Sequence, residues 1–205
     1  MKKFLSELNR WSLPSAVLLA LLIGCSVTIP NLVIQETSKN YNPTRVEASI
    51  DSVEWYWPQR NQDCPEVLRA LYLSSTQTLD IAIYSLTYPS VVQAIKDAKA
   101  RGVKVRVLSD KTQSAGATQK QAINNLLGVS IPVKINKHSG LMHLKVSIID
   151  NQVLTTGSFN YSKNAQDNND EVLVIIRSPR MVLDFSNEFE RLWNSTGFID
   201  AEMSY

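Results

Sequence analysis

Apolar positions along this chain recur with two periods. Short apolar runs stand at Leu79 to Ser85, Val103 to Ser109, Lys145 to Ile149, Val153 to Thr156 and Val172 to Ile176, and their length and β-branched content predict strands. Around them, apolar residues spaced three and four apart predict helices over Pro65 to Ser74, Pro89 to Arg101, Thr118 to Leu127 and Pro179 to Trp193. Pro89 presets a helix start and Gly102 supplies a stop. Strands alternating with helices predict an α/β domain, a mixed β-sheet flanked by helices on both faces.

The amino-terminal part departs from this pattern. Lys2, Lys3 and Arg10, against Glu7, precede the apolar run Ala16 to Ile23, which is the form of a bacterial secretory signal. The run ends Leu22-Ile23-Gly24-Cys25-Ser26 and resembles a lipobox, where the cysteine, here Cys25, is lipidated. Leu13 to Ile29 is also about 17 residues long, the lower limit for a spanning helix, so an uncleaved anchor stays open, as does plain secretion. All three lead to a bacterial cell-envelope location, the first two with the membrane engaged through the N-terminus. Residues 1–25 therefore read as a signal, lipoprotein or anchor segment. Residues 26–49 are polar, hold Pro30, Asn40, Asn42 and Pro43, and read as a linker. Residues 50–205 suit one domain of ordinary size.

Charge adds one feature. The 205 residues carry a net charge of +2, and without residues 1–25 basic and acidic residues balance. Between Lys96 and Lys145, however, ten Lys/Arg face only Asp97 and Asp110. That concentration makes either a basic track for nucleic acid or anionic lipid, or solvated helix faces offset elsewhere. Trp55-Tyr56-Trp57 offers aromatic surface for stacking bases, for a membrane interface, or for packing. The two cysteines are far apart and no His/Cys cluster has ligand spacing, so no metal site is expected. Cys64, beside Pro65 at a helix start, reads as a structural thiol; a disulfide with Cys25 stays open if Cys25 is not lipidated.

The chemistry concentrates in one stretch: His143-Leu144-Lys145, four residues, Asp150, six residues, Gly157-Ser158, one residue, Asn160. At ordinary residue frequencies the HxK, D and GS positions coincide on the order of once in ten thousand chains of this length. The spacing resembles the signature of a family that cleaves phosphodiesters, and because a phosphodiester is anionic, such a site must neutralise charge, hold the group in line, and supply a nucleophile and a proton. A neutral imidazole of His143 can attack phosphorus and form a phosphohistidine. Lys145, two positions along a strand, lies on the same face and can bind the phosphate oxygens. This alternation puts His143, Lys145 and Ser147 on a ligand side and Leu144, Val146 and Ile148 on a core side. Asp150-Asn151 is turn chemistry, so Gln152 to Thr156 returns as a second strand and brings Ser158 and Asn160 back as phosphate donors. Gly157 permits close backbone approach, and Asp150 reads as structural.

The pattern resembles the signature of the phospholipase D superfamily, and the order of elements resembles its single-motif fold across essentially the whole domain. The resemblance implies phosphodiester cleavage through the histidine without a cofactor or metal. In single-motif nucleases of the superfamily an acidic residue after the GSxN segment accepts a hydrogen bond from the histidine, and Glu171 stands at that place. In-line displacement needs an acid opposite the nucleophile, and His138, the one other histidine, reads as a loop residue. A homodimer sharing one site between two His143 residues answers this need, and the single-motif nucleases imply the same arrangement. The leading expectation is a non-specific endonuclease on DNA and RNA, resembling the bacterial periplasmic enzymes of the superfamily. A phospholipase D acting on phosphatidylcholine or a similar lipid is the alternative, and a non-catalytic binding protein the third.

Overall fold

A computed structural model describes residues 52–203 of the protein. The expectations for residues 1–25 and 26–49, including Cys25, lie outside the described residues. The element order is β1 (Ser52–Tyr56), a 3-10 turn (Pro58–Arg60), α1 (Cys64–Ser74), β2 (Thr78–Ile83), α2 (Pro89–Ala100), β3 (Lys104–Ser109), α3 (Lys111–Ser114), α4 (Ala117–Leu127), β4 (Val133–Asn136), β5 (Lys145–Ile149), β6 (Val153–Gly157), α5 (Lys163–Asp167), β7 (Leu173–Arg177), α6 (Pro179–Trp193) and β8 (Phe198–Asp200). The strands form one open eight-stranded sheet in the order β1-β7-β6-β5-β2-β3-β4-β8. β2, β3 and β4 run parallel, joined by helical crossovers, and the other pairings are antiparallel.

Both faces of the sheet are covered. On one, Leu79, Ile81 and Ile83 of β2 and Val105 and Val107 of β3 pack with Leu68 and Tyr72 of α1, Ile95 of α2 and Leu126 of α4. On the other, Ala82, Val146, Ile148, Leu154 and Ile176 pack with Val182 and Phe189 of α6. Alternation along each strand sends successive side chains to opposite cores, which is why the central strands read as unbroken apolar runs. The mixed sheet with helices on both faces is the expected architecture.

The four helices and five strands expected from periodicity are present, with no end shifted by more than two residues. Three strands, β1, β4 and β8, and the short helices α3 and α5 were not anticipated. β1 and β8 are the edges of the sheet. β1 has no fully buried residue and β8 has three residues with one buried, so neither carries a strong pattern of its own, and each exists because a partner strand offers a ladder. The short helices are set by local caps: Asp110 accepts from the backbone N–H groups of Thr112 and Gln113, and Ser162 from that of Ala165.

One expectation needs correction. All five residues of β5 are buried, so neither face of that strand is left open for a ligand. Ser147 lies under α1, its hydroxyl between those of Tyr72 at 2.6 Å and Tyr161 at 2.7 Å, while Leu144 is exposed. β5 is a central strand with helices above and below, and only its entry, at His143 and Lys145, reaches the surface. Cys64 is fully buried at the start of α1, where burial, assisted by the Asp63 charge, pushes its thiol up to about 12. Among the described residues no helix is long and apolar enough to cross a membrane.

The β5–β6 hairpin turns at Asp150 and Asn151, both at φ +52°, with Gln152 donating to the Ile149 carbonyl at 2.9 Å. Two successive positive φ values define the tight turn whose twist matches the flanking strands. The Asp150 carboxylate accepts from the backbone N–H groups of Thr76 (2.8 Å), Gln77 (2.7 Å) and Thr78 (2.8 Å) and from the Thr76 hydroxyl (2.9 Å). Burial alone raises its pKa, but these donors outweigh burial and hold it below the ordinary range. Asp150 thus fastens the hairpin to the start of β2, at the far end of β5 from His143. Replacing Asp150 with Ala is expected to cost roughly 2–4 kcal/mol of stability, read by urea denaturation at neutral pH. Because the folded pKa is lowered, this stabilisation is present at neutral pH and lost as the pH falls through the folded value. The gap between wild type and Asp150→Ala should therefore narrow below about pH 4. A gap unchanged down to pH 2 would contradict the role given to the carboxylate.

Candidate active site

The candidate residues converge at one end of the central strands. The chain enters β5 at His143 and Lys145, leaves β6 at Gly157, and enters β7 past Glu171. β2 ends there at Ile83, which pairs with Lys145 and leads into Tyr84, and β1 ends beside β7, because Tyr56 pairs with Leu173. Strand register alone places these segments side by side.

His143 is exposed and Lys145 is nearly buried, with 7% of its surface accessible. Lys145 Nζ lies 3.1 Å from His143 Nδ1 and 3.2 Å from Nε2, and donates to the His143 carbonyl at 2.9 Å. Burial lowers the Lys145 pKa, and the negative charge of Glu171 partly restores it. A desolvated ammonium with few fixed partners is a strong binding point for an anionic oxygen.

Glu171 does not hydrogen-bond His143 here. Its Oε1 accepts from Asn169 Nδ2 at 3.0 Å, and its charge acts on Lys145. Ser158 Oγ accepts from the Val172 N–H at 3.1 Å, which leaves its hydroxyl hydrogen to donate elsewhere. Asn160 Oδ1 accepts from the Ser85 N–H at 3.3 Å, a bond that turns the amide so that its Nδ2 group is the available donor. Gly157 has φ +128°, and a Cβ there would stand 2.2 Å from the Val172 carbonyl oxygen. Only glycine lets β6 lie against the segment that carries Glu171. Thus the structure brings His143, Lys145, Ser158, Asn160 and Glu171 to the same end of the strands and places Asp150 at the other end.

Sequence reasoning missed two groups that shape this end of the strands. Tyr84 packs its ring against His143, with centroids 4.5 Å apart, and under Lys145 Nζ, 5.1 Å from the ring centroid. Its own backbone N–H donates to the Leu144 carbonyl at 2.9 Å. An aromatic ending a β2 run is the signal, but its meaning depends on β2 pairing with β5. Asp110, fully buried after β3, accepts from the Met142 N–H at 2.9 Å and so holds the segment that presents His143. Asn136 donates to the Gly140 carbonyl at 2.8 Å and anchors the preceding loop. His138 packs edge-on against Phe198, with centroids 6.0 Å apart.

The basic segment is divided. Arg106 pairs with Asp80 and Glu190 beneath α6, Arg101 donates to the Tyr72 carbonyl, and Lys134 donates to the Trp193 carbonyl. These cations serve the scaffold, so the count of ten overstates the charge at the site. An open depression of about 290 Å³ adjoins it, lined by Trp57, Gln59, Arg60, Ser158, Asp170, Glu171 and Val172.

At the end of a central strand a buried ammonium and an exposed imidazole stand together, with a serine, an asparagine and a carboxylate returned by the next two strands, an arrangement that can bind an anionic oxygen beside a nucleophile. Residues 68–193 match the family model for the cardiolipin synthase, phospholipase D-like domain, and the chain belongs to the phospholipase D superfamily. It is 32% identical over 121 residues to a mitochondrial cardiolipin hydrolase of Chlamydomonas reinhardtii, covering 59% of this chain and 53% of that one. It is 29% identical over 143 residues to a phospholipase D of Rickettsia conorii, covering 70% and 69%. The chain thus spans about half of the first relative's length. Among solved structures, the phospholipase D family member Nuc from Salmonella typhimurium superposes with a TM-score of 0.69 at 28% identity, covering 74% of this chain and 98% of that one.

The lowered pKa of Lys145 has a kinetic consequence. Lys145 is charged below its pKa and neutral above it, so the alkaline limb of kcat/KM, which reports the free enzyme, should lie below the ordinary lysine value of 10.5. A limb at or above that value would rule out Lys145 as the desolvated cation the reaction depends on.

Proposed function

We propose that the protein hydrolyses phosphodiesters through a covalent phosphohistidine on His143. The observation that carries this reading is the pairing of the exposed His143 ring with the buried Lys145 ammonium, 3.1 Å away. A phosphate oxygen is a stronger acceptor for Lys145 than imidazole, so substrate takes the ammonium and frees the ring lone pair for attack. In the first step a P–N bond forms and the P–O bond to the leaving group breaks. In the second, water attacks phosphorus and gives a proton back to the group that protonated the leaving oxygen, the P–N bond breaks and His143 is regenerated. Ser158 and Asn160 donate to the equatorial oxygens, and Glu171 balances the charge on Lys145 and stabilises the imidazolium.

The proton for the leaving oxygen is assigned to His143 of a second copy of the chain, in a homodimer that shares one site. His138, engaged with Phe198, does not supply it. Coexpressing wild-type and His143→Ala chains tests this assignment. At equal amounts, activity should fall to about a quarter of the wild-type level, because only dimers with both histidines complete the cycle. Retention of about three quarters would mean that one histidine per shared site suffices, and of about half that each chain works independently.

The substrate proposed first is nucleic acid, cleaved endonucleolytically. An open depression bearing an indole, a guanidinium and hydrogen-bonding side chains beside the phosphate donors supports it. A phospholipid headgroup is the second reading, supported by the relatives named cardiolipin hydrolase and by exposed Leu141 and Leu144 beside His143. Tethering at a bacterial cell envelope through residues 1–25 is part of the proposal and rests on the sequence. The purified chain, in EDTA, is incubated with single-stranded DNA, duplex DNA, RNA and cardiolipin vesicles. Cleavage of the nucleic acids, abolished by His143→Ala, is the expected outcome. Turnover of vesicles alone would select the phospholipid reading, and binding without turnover of all four would reject catalysis.

A further inference from the structure

The aromatic segment that follows β1 is not used by the chemistry described above, yet it borders the site. Tyr56 pairs with Leu173, so the chain leaves β1 alongside Val172 and Glu171. The 3-10 turn Pro58–Arg60 then folds Arg60 back over Trp57, with Cζ 5.7 Å from the indole centroid. Gln59 Nε2 donates to the Asn169 carbonyl at 3.0 Å, which ties this turn to the segment carrying Glu171. Trp57 is 37% exposed, and both it and Arg60 line the same depression as Ser158 and Glu171.

From this geometry we infer that Trp57 and Arg60 form a stacking subsite for the nucleobase next to the scissile phosphate. The inference rests on the nuclease reading and names where that substrate's base is held. Indole and guanidinium planes are the two side-chain surfaces on which bases stack, and here they lie one over the other. The depression also carries the carboxylates of Asp170 and Glu171. Two acidic groups repel a second phosphate, so the part of the substrate that enters the depression, past the phosphate held at Ser158, is uncharged. Base edges with exocyclic amino groups find acceptors in those carboxylates, whereas an acyl chain would leave them desolvated. The depression of about 290 Å³ has room for a base beside the phosphate donors. Stacking of this kind tolerates any base, and it gives discrimination between nucleotides and base-free phosphodiesters without sequence preference.

The test compares kcat/KM on a single-stranded DNA oligonucleotide with that on the same chain built wholly of abasic residues. Wild type should prefer the base-bearing chain by about tenfold, Trp57→Ala and Arg60→Ala should lose most of that preference, and Trp57→Phe should keep it. An unchanged preference in Trp57→Ala and Arg60→Ala overturns the subsite while leaving the nuclease reading intact. Parallel loss on both substrates with an unchanged ratio also overturns it, since that is the mark of a structural role. If wild type leaves both oligonucleotides whole and hydrolyses cardiolipin vesicles, the nuclease reading itself falls and the base subsite with it.

Discussion

The register of β5 is the constraint on which the rest of the structure depends. Ile83 must sit opposite Lys145 and Thr155 opposite Ser147 for the site to exist. A slip of one residue would turn Lys145 toward α6 and drive Val146 into the position of the ammonium. Two devices prevent the slip. The Asp150-Asn151 turn admits one hairpin geometry, and the Asp150 carboxylate bonds the turn to the first residues of β2. The residue of the signature farthest from the chemistry therefore sets the alignment of those that perform it.

That alignment produces a division of labour between burial and exposure. Lys145 is held in low-dielectric surroundings over the Tyr84 ring, where its charge is weakly screened and strongly felt by an anion. His143 lies two residues away in the open, where a bulky substrate can reach it. The transition between the two occurs over a single strand end, because β5 is a central strand whose interior is covered on both faces and whose entry is not. A site of this kind approaches phosphorus from one side only. The proposed second copy of the chain follows from that one-sidedness as much as from the scarcity of histidines.

The carboxylate and the hydroxyl donors show how site residues serve the scaffold as well. Ser158 and Val172 exchange hydrogen bonds across the β6–β7 junction, Gly157 allows that junction to close, and Asn169 engages Glu171. Fold and site are in contact at each of these atoms, so substitutions here act on both. The Arg106 cluster under α6 is the opposite case. It gathers Asp80, Glu190, Phe189 and Trp193 on the face away from the site, and its charges belong to packing.

Most of the α/β order is legible in the sequence, because long amphipathic helices and buried strands carry their period in the chain itself. The spacing of His143, Lys145, Asp150, Gly157, Ser158 and Asn160 was legible for the same reason: all lie within one hairpin and its exit, where local geometry suffices. What lay beyond local reach was everything that depends on a partner strand. β1, β4 and β8 form because neighbours supply their ladders, Tyr84 and Asp110 gain their roles from the β2–β5 pairing and the loop it anchors, and Ser147 is buried because α1 covers it. The bond partner of Glu171 and the fate of the basic segment were decided likewise, since side chains such as Arg106 and Arg101 choose among acceptors that the chain brings near from dozens of residues away. Periodicity and motif spacing are one-dimensional and survive in the string of residues, whereas hydrogen-bond partners and desolvation are properties of a packed volume and come into being only when the sheet closes around them.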